Sequence, residues 1–248
     1  MVAVLLCGGA VTPAGADQPR AVIELFTSQG CSSCPPADRL MGEFARDPSL
    51  VALSLPVDYW DYIGWKDTLA LPGHTTRQRA YAGVRGVRQI YTPQAMINGV
   101  GDALGSDKGA VESTIAKTRR SAEPLALPVS LSVSGGEVTV SVPAAVDEQR
   151  SGTVWLCPVS SEVPVKIGRG ENRGRTITYH NVVRRWVKLG EWNGAAQTFK
   201  ASLADLADDK LSLRDVDRLA VLVQSGAASR PGLMLGAALE PLPGAAVR

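Results

Sequence analysis

The sequence predicts an α/β chain: a strand–helix–strand unit comes first and a smaller all-β, sandwich-like region follows. Three observations carry that expectation. Apolar runs rich in strand formers at 21–26 and 50–57 bracket a stretch of helical spacing at 37–44, and two strands joined through a helix run parallel. A Cys31-Ser32-Ser33-Cys34 motif stands where the first strand hands over to that helix. After residues 124–128, period-two alternation with glycine turns takes over.

Taken in order, residues 21–26 read as a buried strand. Pro35 and Pro36 suit the first turn of a helix, where the missing N–H would be unpaired anyway. Leu40, Met41 and Phe44 then share one helical face. Residues 58–67 form a dense aromatic patch with acidic punctuation, and 75–84 reads as a second helix. Residues 92–97 read as a strand, Asn98-Gly99 as a tight turn and 109–120 as a third helix. Beyond the change of pattern, strands are expected at 129–133, 138–142, 154–159, 176–187, 219–223 and 233–238. The expected divisions are 1–16, 17–123 and 124–248.

Composition excludes some classes of partner. Formal net charge is +2, from 26 basic and 24 acidic residues, and the basic stretches at 77–88 and 169–185 are broken by apolar and glycine residues. They read as solvated faces, so no nucleic-acid partner is expected. The apolar run at 2–10 is shorter than the roughly 20 residues that span a bilayer. Ala14-Gly15-Ala16 after it resembles a signal-peptidase site, although no Lys or Arg precedes the run. Residues 1–16 are therefore expected to be a signal peptide, with a periplasmic or secreted destination and no stable membrane insertion once it is removed. Cys31, Cys34 and Cys157 then remain, too few for a disulfide scaffold.

The placement of the pair makes it a candidate redox site. At a helix start, free main-chain N–H groups and the helix dipole stabilise an anion. Comparable motifs lower the first thiol from about 8.5 to roughly 3.5–7.5. Cys31 is expected to attack or release a substrate sulfur through a mixed disulfide, and Cys34 to resolve it. The intervening serines bring no cation. In the thioredoxin fold a cis proline packs against the dithiol and its predecessor meets the bound peptide; Thr92-Pro93 fits that role.

Several stretches together resemble a known family: 22–38 through the cysteine motif, 57–62 with 65–67, 78–81, 91–94, 170–183 and 233–236. They resemble the exported thioredoxin-like bacterial proteins catalogued as domain of unknown function 1223. The resemblance implies a thioredoxin-like N-terminal fold and export, and supplies no substrate.

Other residues leave alternatives open. Glu24, on the strand entering the motif, is either a proton relay for the resolving thiol or a solvent-facing or salt-bridged acid, since a one-residue slip reverses its face. The aromatic patch is either a groove wall above Cys31 or a loop docking the second region. Cys157, in a strand-like segment, reads as a buried inert thiol. His74 and His180 have no ligand partners at useful spacing, and one Cys-x-x-Cys supplies only two of the four ligands of a structural zinc site. Met41 reads as core.

The expected function is thiol–disulfide exchange or isomerisation on exported thiol- or disulfide-containing proteins, coupled to a redox partner, with no cofactor and no resident metal. Cys31, Cys34, Pro93, Thr92 and Glu24 are the candidate residues. The alternatives are a binding protein with a static disulfide and a copper(I) carrier using both thiolates.

Overall fold

The computed structural model describes residues 18–146 and 150–244, so the expected signal peptide at 1–16 lies outside the described residues. The opening unit forms as its sequence pattern requires. Strand β1 (Ala21–Thr27) runs parallel to β2 (Leu50–Pro56), with helix α1 (Pro35–Phe44) between them. Every residue of both strands is buried, which explains their continuous apolar runs: a parallel pair is covered on both faces. Helix α2 (Pro72–Val84) follows, then the hairpin β3 (Gln94–Ile97) and β4 (Gly101–Leu104), with β3 antiparallel to β1. Asn98 and Gly99 turn that hairpin, both with positive φ. Helix α3 (Lys108–Ala122) starts at Asp107, whose carboxylate accepts from Ala110 N at 2.9 Å.

The remaining strands are β5 (Ser130–Ser134), β6 (Glu137–Val142), β7 (Gly152–Lys166), β8 (Thr176–Val183), β9 (Val187–Trp192), β10 (Gln197–Ser202), β11 (Arg218–Ala227) and β12 (Arg230–Pro241). Here the expected fold class fails. Instead of a thioredoxin-like unit followed by a smaller all-β sandwich, one nine-stranded mixed sheet runs through both halves. Its order is β12-β11-β7-β8-β2-β1-β3-β4, with β9 also paired to β7. A three-stranded sheet, β10-β6-β5, stands apart from it.

The join is between β2 and β8, which run parallel with Ser54 opposite Val182. Side chains reinforce it: Ser54 Oγ donates to His180 O at 2.7 Å, and Asn181 Nδ2 donates to Ala52 O at 2.9 Å. Strand β7, expected only at 154–159, is 15 residues long. Its first half pairs with β11 and β9 and its second half with β8. The run expected at 176–187 is divided between β8 and the start of β9, and β4 and β10 were not foreseen. Local periodicity marks which residues are apolar, but pairing between segments over a hundred residues apart leaves no periodic trace.

Alternation along β1 sorts the core. Ile23 and Leu25 pack with Leu40 and Met41 of α1 and with Val111 and Ile115 of α3. Val22 and Phe26 belong to a different cluster, with Tyr81 of α2, Cys157, Leu222 and Met234. That second cluster crosses the β2–β8 join, so both halves of the chain share it. The three-stranded sheet puts Val138, Val140 and Val142 against Val154, Leu156, Val221 and Val223 of the large sheet.

Candidate functional site

Two turns connect β1 to α1. Cys31 N donates to Ser28 O at 3.1 Å, and Cys34 N donates to Cys31 O at 3.2 Å. Cys34 is the N-cap of α1, and its sulfur is bonded to that of Cys31 with the Cα atoms 5.4 Å apart. The expected supply of free amides at this helix start is reduced. Pro35 and Pro36 have no N–H to offer, and the N–H groups of Ala37 and Asp38 both donate to Cys34 O, at 2.8 and 3.1 Å. The donor beside Cys31 is a side chain: Ser33 Oγ lies 3.4 Å from its Sγ, and a disulfide sulfur has no proton to give, so the hydroxyl donates. Thr92 O stands 3.8 Å from the same sulfur. When the bond is open that carbonyl favours the thiol, whereas the hydroxyl favours the thiolate.

The Thr92–Pro93 peptide is cis, and the structure places Thr92 beside Cys31. Ser32 and Ser33 are exposed at the tip of the turn, yet both cysteines have 0% exposure. The aromatic patch packs beside them, on Gln29, Gly30 and Thr92. Gly30 lies so close beneath it that an added Cβ would sit 3.0 Å from Ile63 Cδ1 and 3.1 Å from Trp60 Cβ. Trp60 Nε1 donates to Thr92 Oγ1 at 2.8 Å, and Trp65 Nε1 donates to Gln29 Oε1 at 2.8 Å. Asp67 Oδ2 accepts from Gln29 N at 2.8 Å. The loop between β7 and β8 holds the turn from another side: Asn172 Nδ2 donates to the carbonyls of Gln29 and Cys31, at 3.0 and 2.8 Å. Tyr62, 82% exposed, stacks on Trp60 at the outer surface of this strap.

Glu24 is elsewhere. It alternates with Val22 and Phe26, away from the α1 side of β1, and Arg77 claims it at 2.5 and 3.1 Å. Tyr81 OH also donates to it, at 2.5 Å. The salt-bridged alternative describes it, and the structure does not bring it to the cysteines. The buried acid on the cysteine side is Asp38. Its Oδ1 accepts from Thr27 Oγ1 at 2.7 Å, while its Oδ2 is buried without a partner. Burial pushes its pKa up to about 8, the Thr27 bond opposing and nearby Asp67 adding to the rise. Burial likewise pushes Asp67 up to about 6, against its bonds from Gln29 and Leu69. Tyr179 of β8 lies close enough to feel both carboxyls, and its hydroxyl too is buried without a partner.

Sequence reasoning missed Ser33, Gln29, Asn172 and Asp38. Asp38 carried a readable signal: it stands four residues after Cys34, one helical turn along the same face. Asn172, 141 residues from its partner Cys31, carried none.

Cys157 is buried and its thiol is pushed up by burial. His74 is fully buried, bonded through Nδ1 to Pro56 O at 2.8 Å, and burial lowers its pKa to about 4. Met41 is core. Among the described residues no three His, Cys, Asp or Glu side chains gather as a metal-holding group, so nothing adds a third such ligand to the cysteine pair. A cavity of about 820 Å³ lined by Glu162, Arg184, Arg214 and Asp217 shares no residue with the cysteine turn.

The family described as "Protein of unknown function (DUF1223)" has a model that matches residues 22–224. No curated protein matches the chain. A crystal structure of an Agrobacterium tumefaciens protein, a structural-genomics target, is 30% identical and superposes with a TM-score of 0.78, covering 90% of this chain and 95% of that one. HBP35 of Porphyromonas gingivalis superposes with a TM-score of 0.60 at 13% identity, over 93% of this chain and 77% of that one; the likeness is one of fold alone.

Proposed function

The chain belongs to the family described as protein of unknown function DUF1223, and on that footing we propose that it exchanges disulfides with exported thiol-containing proteins through Cys31 and Cys34. The single observation that carries this reading is the Cys31–Cys34 bond lying against Thr92 O beneath an exposed Ser32-Ser33 tip. An incoming thiolate attacks Cys31 Sγ, the bond to Cys34 breaks, and Cys34 leaves as a thiolate; the reverse step resolves the mixed disulfide. Ser33 Oγ stabilises charge on Cys31, and Thr92 with Pro93 borders the approach. Access requires the strap around Trp60 and Trp65 to open locally, because the closed form exposes neither sulfur. Export rests on the leader-like pattern at 1–16. No helix of the described residues is long and apolar enough to cross a membrane.

A second reading has its own observation. Zero exposure at both cysteines suits a static disulfide that staples the turn for a binding protein. Thiol trapping separates the two. Under the exchange reading, Cys34→Ala accumulates mixed disulfides with thiol proteins, Cys31→Ser does not, and the pair equilibrates with glutathione. A potential below about −300 mV with no trapped species favours the static staple.

A further inference from the structure

We infer that Asp38 is the proton acceptor and donor for the Cys34 sulfur when the Cys31–Cys34 bond opens and closes. The inference rests on the exchange reading above and names the residue that serves it.

Cys34 has helical dihedrals at the N-cap, and Asp38 follows four residues later with its N–H on Cys34 O. Side chains four apart on a helix share a face, with Cβ atoms about 5–6 Å apart, and each Cα–Cβ bond tilts toward the N-terminus. The Asp38 carboxyl therefore leans back toward the cysteine turn, and its bond to Thr27 Oγ1, at the end of β1, places it under that turn. Both residues are buried, Cys34 at 0% and Asp38 at 1% exposure. One carboxyl oxygen has a donor and the other has nothing, in an interior where an unpaired polar atom is costly. The charged and titratable groups around it are Asp67 on the strap, Tyr179 on β8 and Arg39 on its own helix, with His180 and Arg46 further along near Gly42. Burial is the main reason that the carboxyl holds its proton near neutral pH; Asp67 adds to the rise, while the Thr27 bond and Arg39 oppose it.

The step balances without a further reactant. An external thiolate forms a bond to Cys31 Sγ, the Cys31–Cys34 bond breaks, and the electron pair leaves on Cys34. The Asp38 Oδ2 proton then moves to Cys34, giving a thiol and a carboxylate. In the closing direction the carboxylate takes that proton back as the Cys34 sulfur attacks and the external thiolate departs.

The experiment follows reduction of the full-length protein by dithiothreitol, together with the equilibrium potential, from about pH 6 to pH 9.5. Asp38→Asn keeps size and an acceptor for Thr27 but carries no transferable proton. It is expected to slow reduction at pH 7 by about a hundredfold, the lower end of what general acids supply. It should also remove one inflection from the plot of potential against pH. Thr27→Val leaves the carboxyl but deletes its donor, and should move that inflection to higher pH; this arm stands if Asp38→Asn fails to fold. Wild-type rates and an unaltered pH profile in the variants overturn the role of Asp38 while leaving exchange intact. A native pair that dithiothreitol does not reduce at any pH overturns the exchange reading and this inference with it.

Discussion

Arg77 is a guanidinium in the protein interior, 8% exposed, and everything around it answers that charge. Glu24 binds it through both oxygens, Gln224 Oε1 accepts at 2.8 Å, and the plane lies 4.3 Å from the Trp186 ring and 5.0 Å from Tyr81. A buried pair of this kind brings little net stability when whole, but losing one partner strands the other charge away from water. Arg77→Met is therefore expected to cost about 3–5 kcal/mol in guanidinium unfolding. Glu24→Gln keeps a neutral acceptor and should leave the pH profile of disulfide reduction unchanged. A profile altered in Glu24→Gln would restore the proton relay that the strand face argues against. Which face Glu24 took was undecidable from the chain alone: β1 is apolar on both faces, with Ala21, Ile23 and Leu25 on one and Val22 and Phe26 on the other, so alternation offered no register.

The aromatic strap acts as a unit. Trp65 donates to Gln29, lies against the loop at Gly168 and Gly170, and spans the gap to the cysteine turn. Removing that indole loosens the strap without touching either sulfur. Trp65→Ala is expected to raise the rate of reduction by a small thiol about tenfold, equivalent to ~1.4 kcal/mol less work to open the cover. An unchanged rate would mean that reduction proceeds without this opening. The composition of residues 58–67 announced that something would be packed or bound there. That the patch folds over Gly30 follows from the path of the chain after β2, and the closeness of Gly30 to Ile63 and Trp60 reveals it.

Across the whole molecule, buried ionisable groups set how stability varies with pH. His74 titrates at about 4 when folded against 6.5 unfolded, so its penalty disappears as pH rises through that interval. Asp67 and Asp38 act in the opposite sense, with folded values of about 6 and 8 against 3.8. A carboxyl that keeps its proton only in the folded state stabilises it fully below the unfolded value and loses that contribution as pH climbs through the folded one. Beyond about pH 6.5 Asp38 is the remaining member of the three, so the guanidinium midpoint is expected to fall between about pH 6.5 and pH 8. Asp38→Asn should flatten that fall; a wild-type midpoint that is level or rising would contradict the assignment. The same long-range pairing that buries these groups joins the two halves of the chain, through Ser54, Asn181 and the cluster shared by Val22, Leu222 and Met234.

The chain by itself determined its helices, the buried runs of β1 and β2, the Asn98-Gly99 turn and the placement of Cys31 and Cys34 at a helix start. Propensity, turn chemistry and spacing act within a few residues and are written locally. Tertiary structure alone decided that β8 would pair with β2, that Asn172 would hold the cysteine turn, and that Glu24 would face Arg77. Those outcomes depend on which distant surfaces meet when the core closes, and no short stretch of residues encodes that choice.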